Sequence, residues 1–316
     1  MRARIIVSRM LSNLRVLGRV TRLAALFSLA VLIPGCRRGD HQAERADRPR
    51  VAPGVRVIDI TFHSRALGRD MPYRVLLPVQ IPRVRRLPVV YLLHGGGGDY
   101  RDWSNDSDVS QYAASGLILV MPEGGSSYYV NSATKPHERY EDYIIQDLIP
   151  DAESRFPAMT ERSSRAIAGV SMGGYGAIKV AFSHPELFAF AGAISAALDA
   201  PSRPFAMRRI GQWERFRSIF GSIGSPTEQA DDPFLFEQAT DPARAPYLYL
   251  AAGQQETLLG INRRFADELK KRGYRCEFHT APGGHDWGQW DEQIPGLFRS
   301  LIQQLHGVSE TSLVRN

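Results

Sequence analysis

Residues 169–173 read Gly-Val-Ser-Met-Gly, a G-x-S-x-G pattern centred on Ser171. The pattern has chemical meaning between a strand and a helix, where a sharp turn lifts the serine hydroxyl clear of the backbone. Both flanks fit: residues 164–168 form a short apolar run, and Tyr175–Phe182 reads as helix. Gly169 and Gly173 leave the turn room. The helix start behind Ser171 points free N–H groups at any oxyanion that forms there. A serine hydroxyl is a weak nucleophile at neutral pH. It needs a base within hydrogen-bond reach, usually a histidine held in one tautomer by a carboxylate. A glycine-rich strand–helix connection with a spare serine has the same five residues, so the rest of the chain must decide.

Eight histidines compete for the role of base. His285 lies in Ala281-Pro282-Gly283-Gly284-His285-Asp286-Trp287, after the last strand-like run and before the last helix-like one. That loop falls at the carboxyl edge of a parallel sheet, where ligands bind. The acid should lie between serine and histidine in chain order. Glu256 is the carboxylate in the loop Gly253-Gln254-Gln255-Glu256 after a strand-like run, with Asp199 as runner-up. Asp286 is too close to His285 in sequence to orient it easily. An oxyanion hole needs two backbone donors. Met172 N–H supplies one, and the loop His94-Gly95-Gly96-Gly97-Gly98 supplies the other, with Gly96 favoured. No Lys-Ser/Thr follows those glycines, so a phosphate cradle fits poorly. No metal-ligand spacing and no nucleotide fingerprint occurs.

These residues must be carried by elements. Strand and helix signals alternate from residue 55 to 305. Val55–Ser64 and Tyr73–Pro78 read as antiparallel strands joined by a turn at 68–70. Pro88–Leu93 and Leu117–Met121 read as buried strands, and Ser164–Val170, Phe188–Ile194, Tyr247–Ala252 and Arg275–Ala281 read as further strands. Helical spacing marks Tyr140–Phe156, Met172–Ser183, Leu258–Arg272 and Gln293–Leu305. Alternation of this kind predicts a mostly parallel sheet with helices on both faces. Residues 201–245 break the rhythm, with five prolines and helix-like pieces at 213–220 and 233–239.

The net charge of +6 suggests a polyanion partner at first sight. Residues 1–35 hold six arginines and no acid; removing them leaves 33 basic against 33 acidic residues. The remainder is neutral, and no nucleic-acid partner is expected. The apolar run Leu23–Ile33 is too short to span a bilayer and fits a signal-peptide core. Pro34-Gly35-Cys36 then resembles a lipoprotein cleavage site, although Pro34 departs from the usual small or hydroxyl residue. The expectation is an exported chain, with residues 1–36 a leader and Cys36 a lipidated anchor. Residues 37–53 read as a tether, 54–306 as the catalytic domain and 307–316 as a frayed tail. Cys276 has no partner for an internal disulfide after such processing and reads as a small buried hydrophobe.

Several segments together resemble a known esterase family. They are Leu93-His94-Gly95-Gly96-Gly97-Gly98 with Asp102-Trp103, Met121-Pro122-Glu123-Gly124-Gly125, Ala168–Ala177, His184-Pro185-Glu186-Leu187-Phe188 and Gly283-Gly284-His285-Asp286-Trp287. The family includes S-formylglutathione hydrolase (esterase D type), feruloyl esterases and the mycolyltransferase antigens. The resemblance covers roughly residues 55–305 and implies an α/β-hydrolase fold, a Ser171–His285–Glu256 triad and no cofactor. Residues 201–245 fall where such folds carry cap elements. An exported member suits envelope or extracellular esters, such as carbohydrate acyl or feruloyl esters, better than cytosolic formylglutathione. His94, Gly95, Tyr128, Tyr129 and Asn131 are candidates for substrate contact. The alternatives are a thioesterase, an acyltransferase, or a binding protein on the same fold.

Overall fold

The computed structural model describes residues 46–203 and 210–305. The expected leader, Cys36 and the tail from 307 lie outside the described residues. Eight strands form one sheet: β1 (Val55–Ser64), β2 (Arg69–Pro78), β3 (Val89–Leu93), β4 (Ile118–Pro122), β5 (Arg165–Val170), β6 (Phe190–Ile194), β7 (Tyr247–Gly253) and β8 (Cys276–Ala281). Their order is β1-β2-β4-β3-β5-β6-β7-β8. β1–β2 and β2–β4 pair antiparallel, and β3 to β8 run parallel.

The helices are α1 (Asp102–Asp106), α2 (Ser110–Ala114), α3 (Tyr140–Asp142), α4 (Ile149–Arg155), α5 (Met172–Ser183), α6 (Ile210–Phe220), α7 (Pro226–Asp231), α8 (Pro233–Ala239), α9 (Leu259–Lys271) and α10 (Trp287–Gln304). A wider turn, Tyr143–Leu148, joins α3 to α4, so the expected helix over 140–156 is one rod with a π-helical middle. Strand side chains alternate between faces. Val89, Tyr91 and Leu93 of β3 pack with Ile144, Leu148, Ile178 and Phe265 on one side of the sheet. Val90 and Leu92 pack with Trp103, Tyr112, Phe298 and Leu301 on the other. All five residues of β3 are buried, which explains its uninterrupted apolar run.

Three expectations need correction. The first hairpin turns at residues 65–68 rather than 68–70, with the Gly68 N–H on Ser64 O at 2.9 Å, so β2 starts four residues early. The last helix starts at Trp287, not 293. Asp286 caps it by accepting from the Gln289 N–H, and Pro295 is tolerated inside it. Residues 46–53, expected as tether, lie on the domain instead. Asp47 accepts two bonds from Arg74, at 2.8 and 2.6 Å. The Arg50 N–H reaches Ser104 O at 2.7 Å. Arg74 is 1% exposed, and a buried guanidinium needs such partners.

Candidate active site

β5 leads into the candidate nucleophile, Ser171. Ser171 sits between β5 and α5 with φ 54° and ψ −115°, a conformation side-chain-bearing residues rarely adopt. Its backbone is pinned on both sides. Its N–H donates to Ile194 O at 2.9 Å, and its carbonyl accepts from the Tyr175 and Ala197 N–H groups at 3.0 and 3.1 Å. The flanking glycines are steric requirements. A Cβ at Gly169 would lie 2.2 Å from Gly173 O, and one at Gly173 would lie 2.2 Å from Leu93 O. The second contact presses the first turn of α5 against the end of β3, where the glycine loop begins.

His285 and Glu256 come from loops after β8 and β7. His285 Nε2 lies 2.9 Å from Ser171 Oγ, and its Nδ1 lies 2.7 Å from Glu256 Oε2. Glu256 Oε1 accepts from the Gly253 N–H at 2.9 Å, and the carboxylate side chain is fully buried. Glu256 therefore reaches the imidazole by folding back on its own strand end. A carboxylate on Nδ1 fixes the N–H there and leaves the Nε2 lone pair facing the serine. Asp199, the runner-up, is bound by Arg203 instead. Asp286 serves as the α10 cap.

Behind His285 three aromatic side chains stand edge to face. His285 and Trp290 are 5.0 Å apart, Trp290 and Trp287 are 5.2 Å, and Trp287 and Trp103 are 5.4 Å. Trp290 Nε1 donates to Ser195 Oγ, and Trp103 Nε1 donates to Leu93 O, both at 3.0 Å. Trp287 and Trp290 fall before the helix start expected at residue 293, so spacing alone does not mark them as supports. The Asp286-x-x-Gln289 cap spacing was the available signal.

The glycine loop comes to the nucleophile as expected. A Cβ on Gly95 would lie 3.6 Å from Ser171 Cβ, and one on Gly96 would lie 3.9 Å from Met172 Cβ. Three proposed substrate contacts are supports instead. His94 is 1% exposed; its Nδ1 donates to Gly95 O at 2.8 Å and its Nε2 accepts from the Gly124 N–H at 2.9 Å. Burial opposes a charge on this ring, but Glu123, 3.5 Å from Nε2, with the Gly95 carbonyl and Asp102 outweighs it and raises the pKa above the ordinary value. The Gly124 N–H requires a lone pair on Nε2 and selects the neutral Nδ1–H form. Tyr129 is fully buried, with its hydroxyl on His94 O at 3.2 Å. The Asn131 amide is taken up by Asp142, donating to its carboxylate at 3.1 Å and accepting from its N–H at 3.2 Å. Spacing cannot show such partners, since they come from elsewhere in the chain.

Tyr128 does reach the site. A cavity of about 470 Å³ is lined by Tyr128, Ser171, Asp199, Arg203, Thr257 and His285, with Ala197 and Leu258. Tyr128 and Tyr129 both have positive φ, 58° and 59°. Packing holds them there: the Tyr128 ring meets Tyr175, Phe216 and Phe220 at 5.2–5.7 Å. Among the described residues no group of three or more His, Cys, Asp or Glu could hold a metal ion. Cys276 is half-buried, away from the cavity lining, and burial pushes its thiol pKa up.

The sheet, the elbow and the neighbouring structures define an enzyme of the α/β-hydrolase fold that hydrolyses esters. The chain matches the family described as "Putative esterase" over residues 64–301, and it belongs to that family. It is 26% identical to the acetyl esterase of Caldicellulosiruptor saccharolyticus, over 77% of this chain and 96% of that protein. It is 30% identical to Esterase Rv1288 of Mycobacterium tuberculosis, over 73% of this chain and 58% of that protein. Among solved structures, the fluorophosphonate-binding serine hydrolase FphF of Staphylococcus aureus superposes with a TM-score of 0.68 at 27% identity, over 78% of this chain and 98% of that one. The S-formylglutathione hydrolase FrmB of the same species gives 0.65 at 26% identity, with the same coverage.

Proposed function

We propose that this chain is an exported serine esterase that cleaves carboxylic esters through an acyl-Ser171 intermediate. The observation that carries the reading is the unbroken relay Glu256–His285–Ser171, with bonds of 2.7 and 2.9 Å. Ser171 Oγ attacks the ester carbonyl while His285 Nε2 takes its proton. Glu256 holds the imidazole and balances its charge. The Met172 and Gly96 N–H groups bind the oxyanion. Collapse breaks the C–O bond, and His285 gives its proton to the departing alcohol. Water then attacks the acyl-serine, with His285 again taking a proton and returning it to Ser171.

Carbohydrate acyl or feruloyl esters are the substrate class we favour. The acetyl esterase relative supports this, as does a similar endo-1,4-beta-xylanase/feruloyl esterase of Xylanibacter ruminicola, 24% identical over 77% of this chain. Export and a lipid anchor at Cys36 rest on the leader pattern at residues 1–36. Acyl transfer to an alcohol is a second reading, favoured by 28% identity to a diacylglycerol acyltransferase/mycolyltransferase of Mycobacterium avium over 78% of this chain. Both use the same intermediate, so product analysis with a competing alcohol separates them. Hydrolysis of p-nitrophenyl acetate tests the common step. Full loss in Ser171→Ala, together with fluorophosphonate labelling of the parent at Ser171, supports it; equal rates in variant and parent sink it.

A further inference from the structure

The cavity beside Ser171 contains an ion pair that the relay does not use. Asp199 lies on the segment after β6, and that segment is registered on the nucleophile through the Ala197 N–H to Ser171 O bond of 3.1 Å. Arg203 follows at i+4. Its Nε donates to Asp199 Oδ2 at 2.9 Å and its Nη2 to Oδ1. The guanidinium carbon stands 5.8 Å from the centre of the Phe216 ring, and that ring packs 5.3 Å from Tyr128. The cation is thus held by a carboxylate at one edge and an aromatic ring on one face. Its Nη1 donates to no described protein group. The two side chains are 29% and 35% exposed, so a solute reaches both.

We propose that Asp199 and Arg203 are specificity-determining residues that bind hydroxyl groups on the alcohol half of the ester and so select a sugar or similar polyol as leaving group. The inference rests on the acyl-serine reading. The pair is neutral as a unit. An anionic leaving group meets the Asp199 carboxylate, and a cationic one meets the Arg203 guanidinium. Neighbouring hydroxyls satisfy both, one donating to the carboxylate and the other accepting from Nη1. The cavity also lies on the correct side of the nucleophile. Its described lining includes His285 and Thr257 and none of residues 94–98. His285 must hand a proton to the departing oxygen, so the alcohol leaves on this side. Tyr128 adds a flat apolar surface for the C–H face of a sugar ring. The pair is already ordered by Phe216 and by its own bidentate contact, so binding loses little side-chain freedom.

The test compares two acetyl esters, an O-acetylated methyl xyloside and ethyl acetate, on the full chain. The readout is the ratio of their kcat/KM values in the parent and in the double variant Asp199→Asn/Arg203→Gln. Hydrogen bonds to charged groups predict that the ratio falls about 10- to 100-fold in the variant. A ratio that stays constant overturns the proposal, whether the absolute rates hold or fall together. A parent that hydrolyses the xyloside ester no better than ethyl acetate overturns it without any variant. Should the double variant be inactive on both esters, Arg203→Lys takes its place. That change keeps the charge and removes the bidentate fork, and the same fall in ratio is required of it. A parent that cleaves neither ester and takes no fluorophosphonate contradicts the acyl-serine reading instead.

Discussion

At the scale of single residues, the site is built from one strained serine and two side chains that reach it from separate loops. Ser171 at φ 54° carries a cost of about 1–3 kcal/mol, offset by the bonds its backbone makes to Ile194, Tyr175 and Ala197. Replacing it by glycine relieves that strain, so Ser171→Gly should melt above Ser171→Ala by about 1 kcal/mol in equilibrium unfolding, with both variants inactive. Equal stability of the two would show that the position is relaxed. Glu256→Gln should keep the fold and lower kcat by roughly 10³- to 10⁴-fold with a smaller change in KM, because the imidazole loses its orienting charge. Ser171, His285 and Glu256 were legible because each sits in a local pattern: an elbow, a glycine-rich loop and a strand end. His94, Tyr129 and Asn131 were not. Their roles depend on Gly124, His94 and Asp142, and nothing in the spacing tells which way a side chain points.

At the scale of elements, the segment after β6 is fastened to the nucleophile helix by buried polar groups. Lys179 of α5 lies 3.0 Å from Glu141 and 3.5 Å from Asp231 of α7, and the Tyr175 hydroxyl donates to Asp231 O at 2.8 Å. His184 completes the cluster at 3.1 Å from Glu141. Two buried carboxylates share one ammonium, so they separate in proton affinity. Burial penalises charge on both. Bonds from His184 and Lys179 nevertheless bring Glu141 down to about 2, while burial, only partly offset by Lys179, pushes Asp231 up to about 7. The signs differ. Glu141 contributes stability above its unfolded value of 4.5 that is lost as pH falls toward 2. Asp231 contributes stability below its unfolded value of 3.8 that is lost as pH rises through about 7. Asp231→Asn should therefore leave the melting temperature near the parent's at pH 4 and raise it at pH 8, by an amount on the order of 2 kcal/mol in unfolding free energy. A pH-independent difference would contradict this. The bounds of α5 and α8 were legible from helical spacing. The true start of α10 was hidden because Gly288 extends the glycine-rich run at 283–284 and reads as loop, although the core contacts of Trp290 and Ile294 hold the first turns as helix.

At the scale of the whole molecule, a mostly parallel sheet was readable from alternation, whereas the attachment of residues 46–53 was not. Their composition resembles a linker, and only the buried guanidinium of Arg74 shows what they are for. Asp59 and Asp47 both bind it, at 2.7 Å and 2.6 Å. A chain starting at Ala46 should fold with the stability of the full chain. One starting at Gly54 leaves Arg74 short of a partner and should lose about 2–4 kcal/mol in denaturant unfolding. Equal midpoints for the two truncations would show that residues 46–53 add no stability. The close contact of Gly173 with Leu93 O has a wider consequence. The glycine loop after β3 and the helix that begins behind Ser171 share one backbone seam at the centre of the sheet. Neither can drift without parting that seam, and parting it opens the core. Heat should therefore extinguish hydrolysis and native fluorescence along a single curve, making turnover itself a thermometer of the global fold.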